Sequence, residues 1–274
     1  MIFYKVHGLG NDFILIDARE LEPTDWSAFA VKYCKRHTGI GADGILLVCN
    51  SSVANTKMRI INSDGSEAEM CGNGIRCFAK WVYERGIVDK EDFAVETLSG
   101  IVRPTVITSG GVVTDVRVDM GEPMLDCRDI PVVGQGRCID RSLSVLGKEY
   151  RFTSVLVGVP HTYVFVDDLG DVDIPTLGAK IECAQCFPKH TNVNFIHVLD
   201  ENSIEMRTFE RGCGCTLACG TGASGAVVAC SLNDRTEKCI SVSLQEGKLF
   251  IEWAENGHVY MTGPATIVCK GEIL

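Results

Sequence analysis

Apolar residues recur at every second position through much of this chain, in short runs closed by Gly, Asp, Asn or Pro, which is the pattern of half-buried strands. The runs at 3–6, 14–16, 45–48, 58–61, 112–120, 152–157, 163–166, 194–198, 203–208, 240–244, 249–253 and 258–262 predict strands. Helical spacing is scarcer and predicts helices over 25–35, 75–85, 175–183 and 223–232. Two of these helices follow related segments, MCGNGIRCFAKWVYERG at 70–86 and ACGTGASGAVVACSLND at 218–234. Each begins Cys-Gly-polar-Gly and continues with apolar or small residues at i, i+3, i+4 and i+7: Ile75, Phe78, Ala79 and Val82 in one, Ala223, Ala226, Val227 and Cys230 in the other. Each is expected to bury one stripe. The two segments lie 148 residues apart at every matched position, so the chain reads as two equivalent halves, each mostly strand around one central helix.

Composition narrows the class without naming a function. The 274 residues suit one large domain or two ordinary ones, and 46% hydrophobic with 23% charged residues is a globular balance. A net charge of −10 repels phosphate backbones and argues against a nucleic-acid partner. No secretory leader and no membrane-length apolar run is visible, so a cytoplasmic location and no membrane association are expected. The fourteen cysteines are therefore expected to be reduced, most of them as small buried hydrophobes.

Cys71 and Cys219 differ from the rest by position. Each stands just before a helix with glycines in the turn, where free N–H groups and the positive end of the helix favour a thiolate and can also bind a carboxylate. Facing one another across a cleft, two such sulfurs could remove a proton from one face of a carbon and deliver one to the other. A thiol ionises close enough to neutrality for one to serve as base while the other serves as acid.

The motifs around these cysteines carry a specific resemblance. MCGNGIRC at 70–77 and FERGCGCTLACGTGASG at 209–225 resemble the two signature loops of the diaminopimelate epimerases. HGLGNDFILID, TGIGADGILLV, INSDGSEAEMCGNG and VPHTYVFVDD are similar to other segments of that family, in the right order. The resemblance implies an isomerase that interconverts LL- and meso-diaminopimelate, in lysine and peptidoglycan-precursor synthesis, with no cofactor and no metal. It implies an α/β fold of the α+β type: two pseudo-symmetric domains, each a mostly antiparallel sheet or barrel around a central helix, with the active site in the cleft between them. The expected division is 1–117 with the tail 264–274, and 118–263. Cys71 and Cys219 match the acid/base pair. Asn11, Asn62, Gly72, Asn73, Asn192, Glu210, Arg211, Gly220 and Thr221 match substrate-binding positions, while His161 and Glu210 match positions that tune the cysteines. The partners implied are the small-molecule substrate and a second copy of the chain, as a homodimer.

Two positions depart from the family pattern, Val159 where Asn is usual and Cys215 where Glu is usual. Taken singly, His161 could be a satisfied structural histidine, Asn11 and Asn62 turn residues, and Arg211 half of a surface ion pair. Asn192 competes with nearby Asn194 for its alignment. The cysteines at 34, 49, 77, 127, 138, 239 and 269 are expected to pack. Two rival functions remain at this point: a proline-racemase-like enzyme, and a metal or redox protein using Cys183, Cys186, Cys213, Cys215 and Cys219, although only one CxxC pair is present.

Overall fold

The computed structural model describes residues 1–22 and 24–274. They form two compact units, Met1–Asp119 together with Thr262–Leu274, and Met120–Met261. The first unit contains β1 (Ile2–Gly8), β2 (Asn11–Asp17), α1 (Trp26–Tyr33), β3 (Gly44–Cys49), β4 (Thr56–Asn62), β5 (Glu67–Ala68), α2 (Gly72–Glu84), β6 (Val95–Thr97), β7 (Gly100–Val102), β8 (Thr105–Ser109) and β9 (Val112–Asp119). The second contains β10 (Arg141–Val145), β11 (Lys148–Val157), β12 (Val159–Phe165), α3 (Ile174–Glu182), β13 (Asn192–Asp200), β14 (Ser203–Glu210), β15 (Gly214–Thr216), α4 (Gly220–Leu232), β16 (Cys239–Leu244), β17 (Gly247–Trp253) and β18 (Val259–Gly263). The final strand, β19 (Thr266–Glu272), pairs antiparallel with β1.

The two units repeat one connectivity. In the first, the strand order is β19-β1-β2-β3-β4-β6-β7 with β5 beside β4; in the second, β10-β11-β12-β13-β14-β16-β17-β18 with β15 beside β14. Pairings β1/β2 and β3/β4 are antiparallel and β2/β3 and β4/β6 parallel, as are β11/β12 and β13/β14, and β12/β13 and β14/β16, respectively. Parallel neighbours need a crossover. α1 and α3 make the first crossover in each unit, and α2 and α4 the second. The repeat holds at the level of register: Phe13 pairs with Gly44 as His161 pairs with Asn192, and Leu46 with Ile60 as Asn194 with Thr208. Both members of every such match are 148 residues apart.

All twelve predicted runs fall on strands and all four predicted helices are present. The single buried stripe expected of α2 and α4 is corrected. Residues 73–82 of α2 are all buried, as are Gly220 and residues 222–230 of α4. α4 is built from Gly, Ala, Ser, Val, Cys, Thr and Leu and has no charged face, so strands β11, β12, β13, β16 and β17 pack against it. In α2, Lys80 satisfies its buried ammonium with the Val113 carbonyl and the Glu84 carboxylate. No disulfide joins any of the fourteen cysteines. Cys34, Cys77, Cys127 and Cys138 are buried as expected, whereas Cys49 is half-buried and Cys239 and Cys269 are exposed. Cys239 opens its strand facing outward, and Cys269 lies on the mostly exposed edge strand β19.

Candidate active site

Helices α1 and α3 begin conventionally, with Asp25 and Asp173 accepting from backbone N–H groups at Ala28 and Thr176. At α2 and α4 a cysteine takes that place. Cys71 is extended (φ −146°) and its sulfur accepts from the Gly74 N–H at 3.3 Å. An acceptor in that position gains from being negative, because it faces the positive end of the helix. The same sulfur also donates to Asn11 Oδ1 at 3.6 Å.

The hydrogen bonds around Cys71 have one consistent sense. Asn11 Nδ2 donates to the Asp43 carboxylate at 2.8 Å, so its oxygen is left toward Cys71 and toward Asn73 Nδ2, 3.2 Å away. Asn73 Oδ1 accepts from Arg76 Nη2 at 2.9 Å, which fixes that amide as well. Arg76 is fully buried and also donates to the carbonyls of Gly72 and Pro264. Burial pulls its pKa down, opposed by the nearby sulfurs of Cys77 and Cys71. Behind Asn11, Arg36 bridges Asp12 and Asp43 at 2.8 Å each. Asn62 lies opposite Gly44 and donates to Ser66 Oγ at 3.0 Å, closing a turn. Asn11, Gly72 and Asn73 thus share one network with Cys71, and Asn62 stands at the neighbouring strand end.

Cys219 is built differently. It is extended (φ −124°), 7% exposed, and its side chain makes no cap hydrogen bond. Thr221 Oγ1 lies 3.4 Å from the sulfur and 3.0 Å from His161 Nε2. The thiol also donates to Glu210, whose carboxylate accepts from Thr216 at 2.6 Å. Burial raises the Glu210 pKa, and the two donors pull it part of the way back. His161 is fully buried and its pKa falls to about 3, first through burial and then through the Arg211 charge, so it is neutral at physiological pH. Asn192 Oδ1 accepts from the Arg211 N–H at 2.8 Å, while the guanidinium donates to the Lys189 carbonyl and remains exposed. The Gly220 carbonyl is taken by Ser224.

The start of α4 demands glycine, and the start of α2 leaves little room for a side chain. A Cβ at Gly74 would stand 3.2 Å from Leu46 Cδ2 and 3.6 Å from the Cys71 sulfur; at Gly222 it would meet Asn194 Oδ1 at 2.8 Å and the Cys219 sulfur at 3.3 Å. Asp43 and Arg76 are members of these networks that sequence patterning did not single out, and Asn194 entered there only as a rival to Asn192 for its alignment. For Arg76 a signal was available: a charge lying beside the apolar stripe of a helix that the repeat places at the centre of its half. Val159 lies on β12, 37% exposed, and Cys215 is exposed on β15. Among the described residues no three His, Cys, Asp or Glu side chains group as a metal site would require.

The fold defines a class first. The chain superposes on a hydroxyproline epimerase from Agrobacterium vitis with a TM-score of 0.70 at 17% identity, covering 100% of this chain and 90% of that one. It superposes equally on a Bacillus anthracis phenazine biosynthesis protein of the PhzF family, with a TM-score of 0.71 at 16% identity, covering 100% and 99%. At such identities the likeness establishes the fold alone. Sequence is more specific. The diaminopimelate epimerase family model matches residues 3–125 and 153–268. The diaminopimelate epimerases of Caldanaerobacter subterraneus and Pelotomaculum thermopropionicum are 50% and 52% identical, covering 100% and 99% of this chain and 99% and 98% of theirs. The chain belongs to the diaminopimelate epimerase family, which sets aside both the proline-racemase-like and the metal-protein readings.

Proposed function

We propose that Cys71 and Cys219 are the acid/base pair with which this isomerase interconverts LL- and meso-diaminopimelate. The observation that carries the assignment is that each sulfur has a hydrogen-bond partner for both of its protonation states. As a thiol, Cys71 donates to Asn11; as a thiolate, it accepts from Gly74 N–H beside the Arg76 charge. As a thiol, Cys219 donates to Glu210; as a thiolate, it accepts from Thr221. An epimerase working in both directions needs that reversibility, since the base of one direction is the acid of the other.

In the forward step a thiolate takes the α-proton and becomes a thiol. The electron pair stays on the α-carbon, conjugated with its carboxylate, and the second thiol delivers its proton to the opposite face. A carbon acid is much weaker than a thiol, so the developing charge must be met by oriented donors. The N–H groups opening α2 and α4, at Gly72, Asn73, Gly220 and Thr221, suit the reacting carboxylate. Asn11, Asn62, Asn192, Glu210 and Arg211 suit the ammonium and carboxylate of the centre that is not inverted. His161 acts on Cys219 through Thr221.

No helix among the described residues is long and apolar enough to cross a membrane. A cytoplasmic location and a homodimeric assembly complete the reading, and sedimentation of the purified chain tests the second. The test of function is incubation with LL-diaminopimelate in deuterated water. Deuterium should enter the α-position as the meso isomer forms, and L-proline should stay unlabelled. Labelling of proline but not of diaminopimelate overturns the reading.

A further inference from the structure

The two halves match residue for residue in register, yet beneath the two cysteine loops the chemistry of three matched positions differs. In the first unit these positions hold Phe13, Leu46 and Ile60, all buried and apolar. In the second unit, 148 residues on, they hold His161, Asn194 and Thr208, all buried and polar. Three polar residues at once, where the fold accepts three apolar ones, point to a purpose beyond packing, since each buried polar group must be satisfied.

Their hydrogen bonds run in one direction. Asn194 Nδ2 lies 3.3 Å from the Thr162 carbonyl, which can only accept, so this atom is the amide nitrogen and not the oxygen. Asn194 Oδ1 accepts from Thr208 Oγ1 at 3.0 Å, which fixes the same orientation from the other side. The nitrogen therefore also donates to His161 Nδ1, 3.2 Å away. A neutral imidazole that accepts at Nδ1 carries its proton at Nε2, and Nε2 faces Thr221 Oγ1 at 3.0 Å. With that lone pair engaged, the Thr221 hydroxyl is turned to donate to the Cys219 sulfur at 3.4 Å.

We propose that Asn194, anchored by Thr208, is a positioning residue that holds His161 in its Nε2–H form and so aims the Thr221 hydroxyl at Cys219. This rests on the reading of Cys219 as an acid/base group. Leu46, the matched residue in the first unit, supports nothing comparable, and Cys71 has the Gly74 N–H and buried Arg76 in its place. The titratable and charged groups around the relay are Tyr163 on β12, Glu210 on β14 and Arg211 beyond it. The Tyr163 hydroxyl is committed to the Gly222 carbonyl at 3.0 Å, and Glu210 accepts from Thr216 and Cys219.

The direct test reads the tautomer in the enzyme with its own Asn194. In uniformly 15N-histidine-labelled enzyme, the His161 signals, identified by their loss in His161→Gln, should show a protonated Nε2 and an unprotonated Nδ1 from pH 6 to 9. The reverse tautomer, or an imidazolium, overturns the proposal. Asn194→Asp presents an acceptor to Nδ1 and should move the proton there; Asn194→Leu installs the first-unit residue and should leave a mixture of tautomers. In both, alkylation of Cys219 by iodoacetamide, followed against pH by peptide mass spectrometry, should show its midpoint raised by about one pH unit, a tenfold loss of thiolate at neutral pH. The midpoint of Cys71 in the same samples should not move. An unmoved Cys219 midpoint in a folded variant refutes the relay. Epimerisation surviving Cys219→Ala refutes the acid/base assignment alone and leaves the tautomer result standing.

Discussion

Tyr163 and Gly225 make a contact whose energy can be worked through. A Cβ at Gly225 would stand 2.2 Å from the Tyr163 hydroxyl oxygen and 3.1 Å from its ring carbon Cζ. Tyr163 is wholly buried and its hydroxyl donates to the Gly222 carbonyl in the first turn of α4. Gly225→Ala gains about 1 kcal/mol of helix propensity. Against this, overpacking costs about 1–3 kcal/mol and stranding the buried hydroxyl about 1–3 kcal/mol more. The variant should lose about 1–5 kcal/mol of stability. Tyr163→Phe alone loses one neutral hydrogen bond, about 1 kcal/mol. In the double variant the oxygen that clashes is absent and the remaining 3.1 Å ring contact offsets the helix gain, so stability should return close to that of Tyr163→Phe. The two changes should therefore couple by about 3 kcal/mol, the cost of Gly225→Ala alone, in the sense of rescue. Urea denaturation of the four proteins, with equal m-values, measures that coupling. Strict additivity would show that α4 and β12 shift apart freely at this contact and would refute the packing argument.

Three other expectations follow from the site. Cys71→Ala and Cys219→Ala should each reduce epimerisation by at least a thousandfold, because proton removal and delivery are serial, whereas Cys215→Ala on exposed β15 should stay within about threefold; steady-state assays of the three decide it. His161 titrates near 6.5 when unfolded and near 3 when folded, so the unfolded chain binds the extra proton in that window. Its contribution to stability is complete above pH 6.5 and is lost as pH falls toward 3, at up to about 1.4 kcal/mol per pH unit; His161→Gln should flatten the pH dependence of urea denaturation by one proton, and an unchanged slope would contradict the assignment. Exhaustive chelation and borohydride treatment should leave activity intact, and a loss restored by added metal or pyridoxal phosphate would overturn cofactor independence.

Periodicity reached the parts of the structure whose burial alternates. β4, β9 and β14 carry buried residues at alternate positions and were legible, while β3 was legible as a short run of consecutive buried apolar residues. β5, β7 and β15 have two or three residues, mostly exposed or half-buried, and leave no alternation to read. β19 escaped for a related reason: as an edge strand it buries almost nothing, so its sequence need not alternate. The all-round burial of α2 was hidden because Arg76 and Lys80 look like a solvated face until their partners on other segments are known. The same holds for Asn194. Nothing local distinguishes it from Asn192, two residues earlier on the same strand. Only the packing of β12 and β14 on either side of β13 brings His161 and Thr208 to its amide.

The return of β19 to β1 also sets a timetable. The pairing joins Ile2 to Glu272 and His7 to Thr266, so the first strand made must wait for the last. A ribosome emits the chain in order, and Met120–Met261 is continuous, so that half can collapse while the other still lacks one border. During that interval the outer side of β1 shows unpaired amide and carbonyl groups, the usual template for joining a foreign strand. Contacts this distant along the chain are slow to close. Shortening the wait by synthesising residues 264–274 ahead of Met1, through a suitable linker, would be expected to raise the yield of native protein from a cell making it quickly.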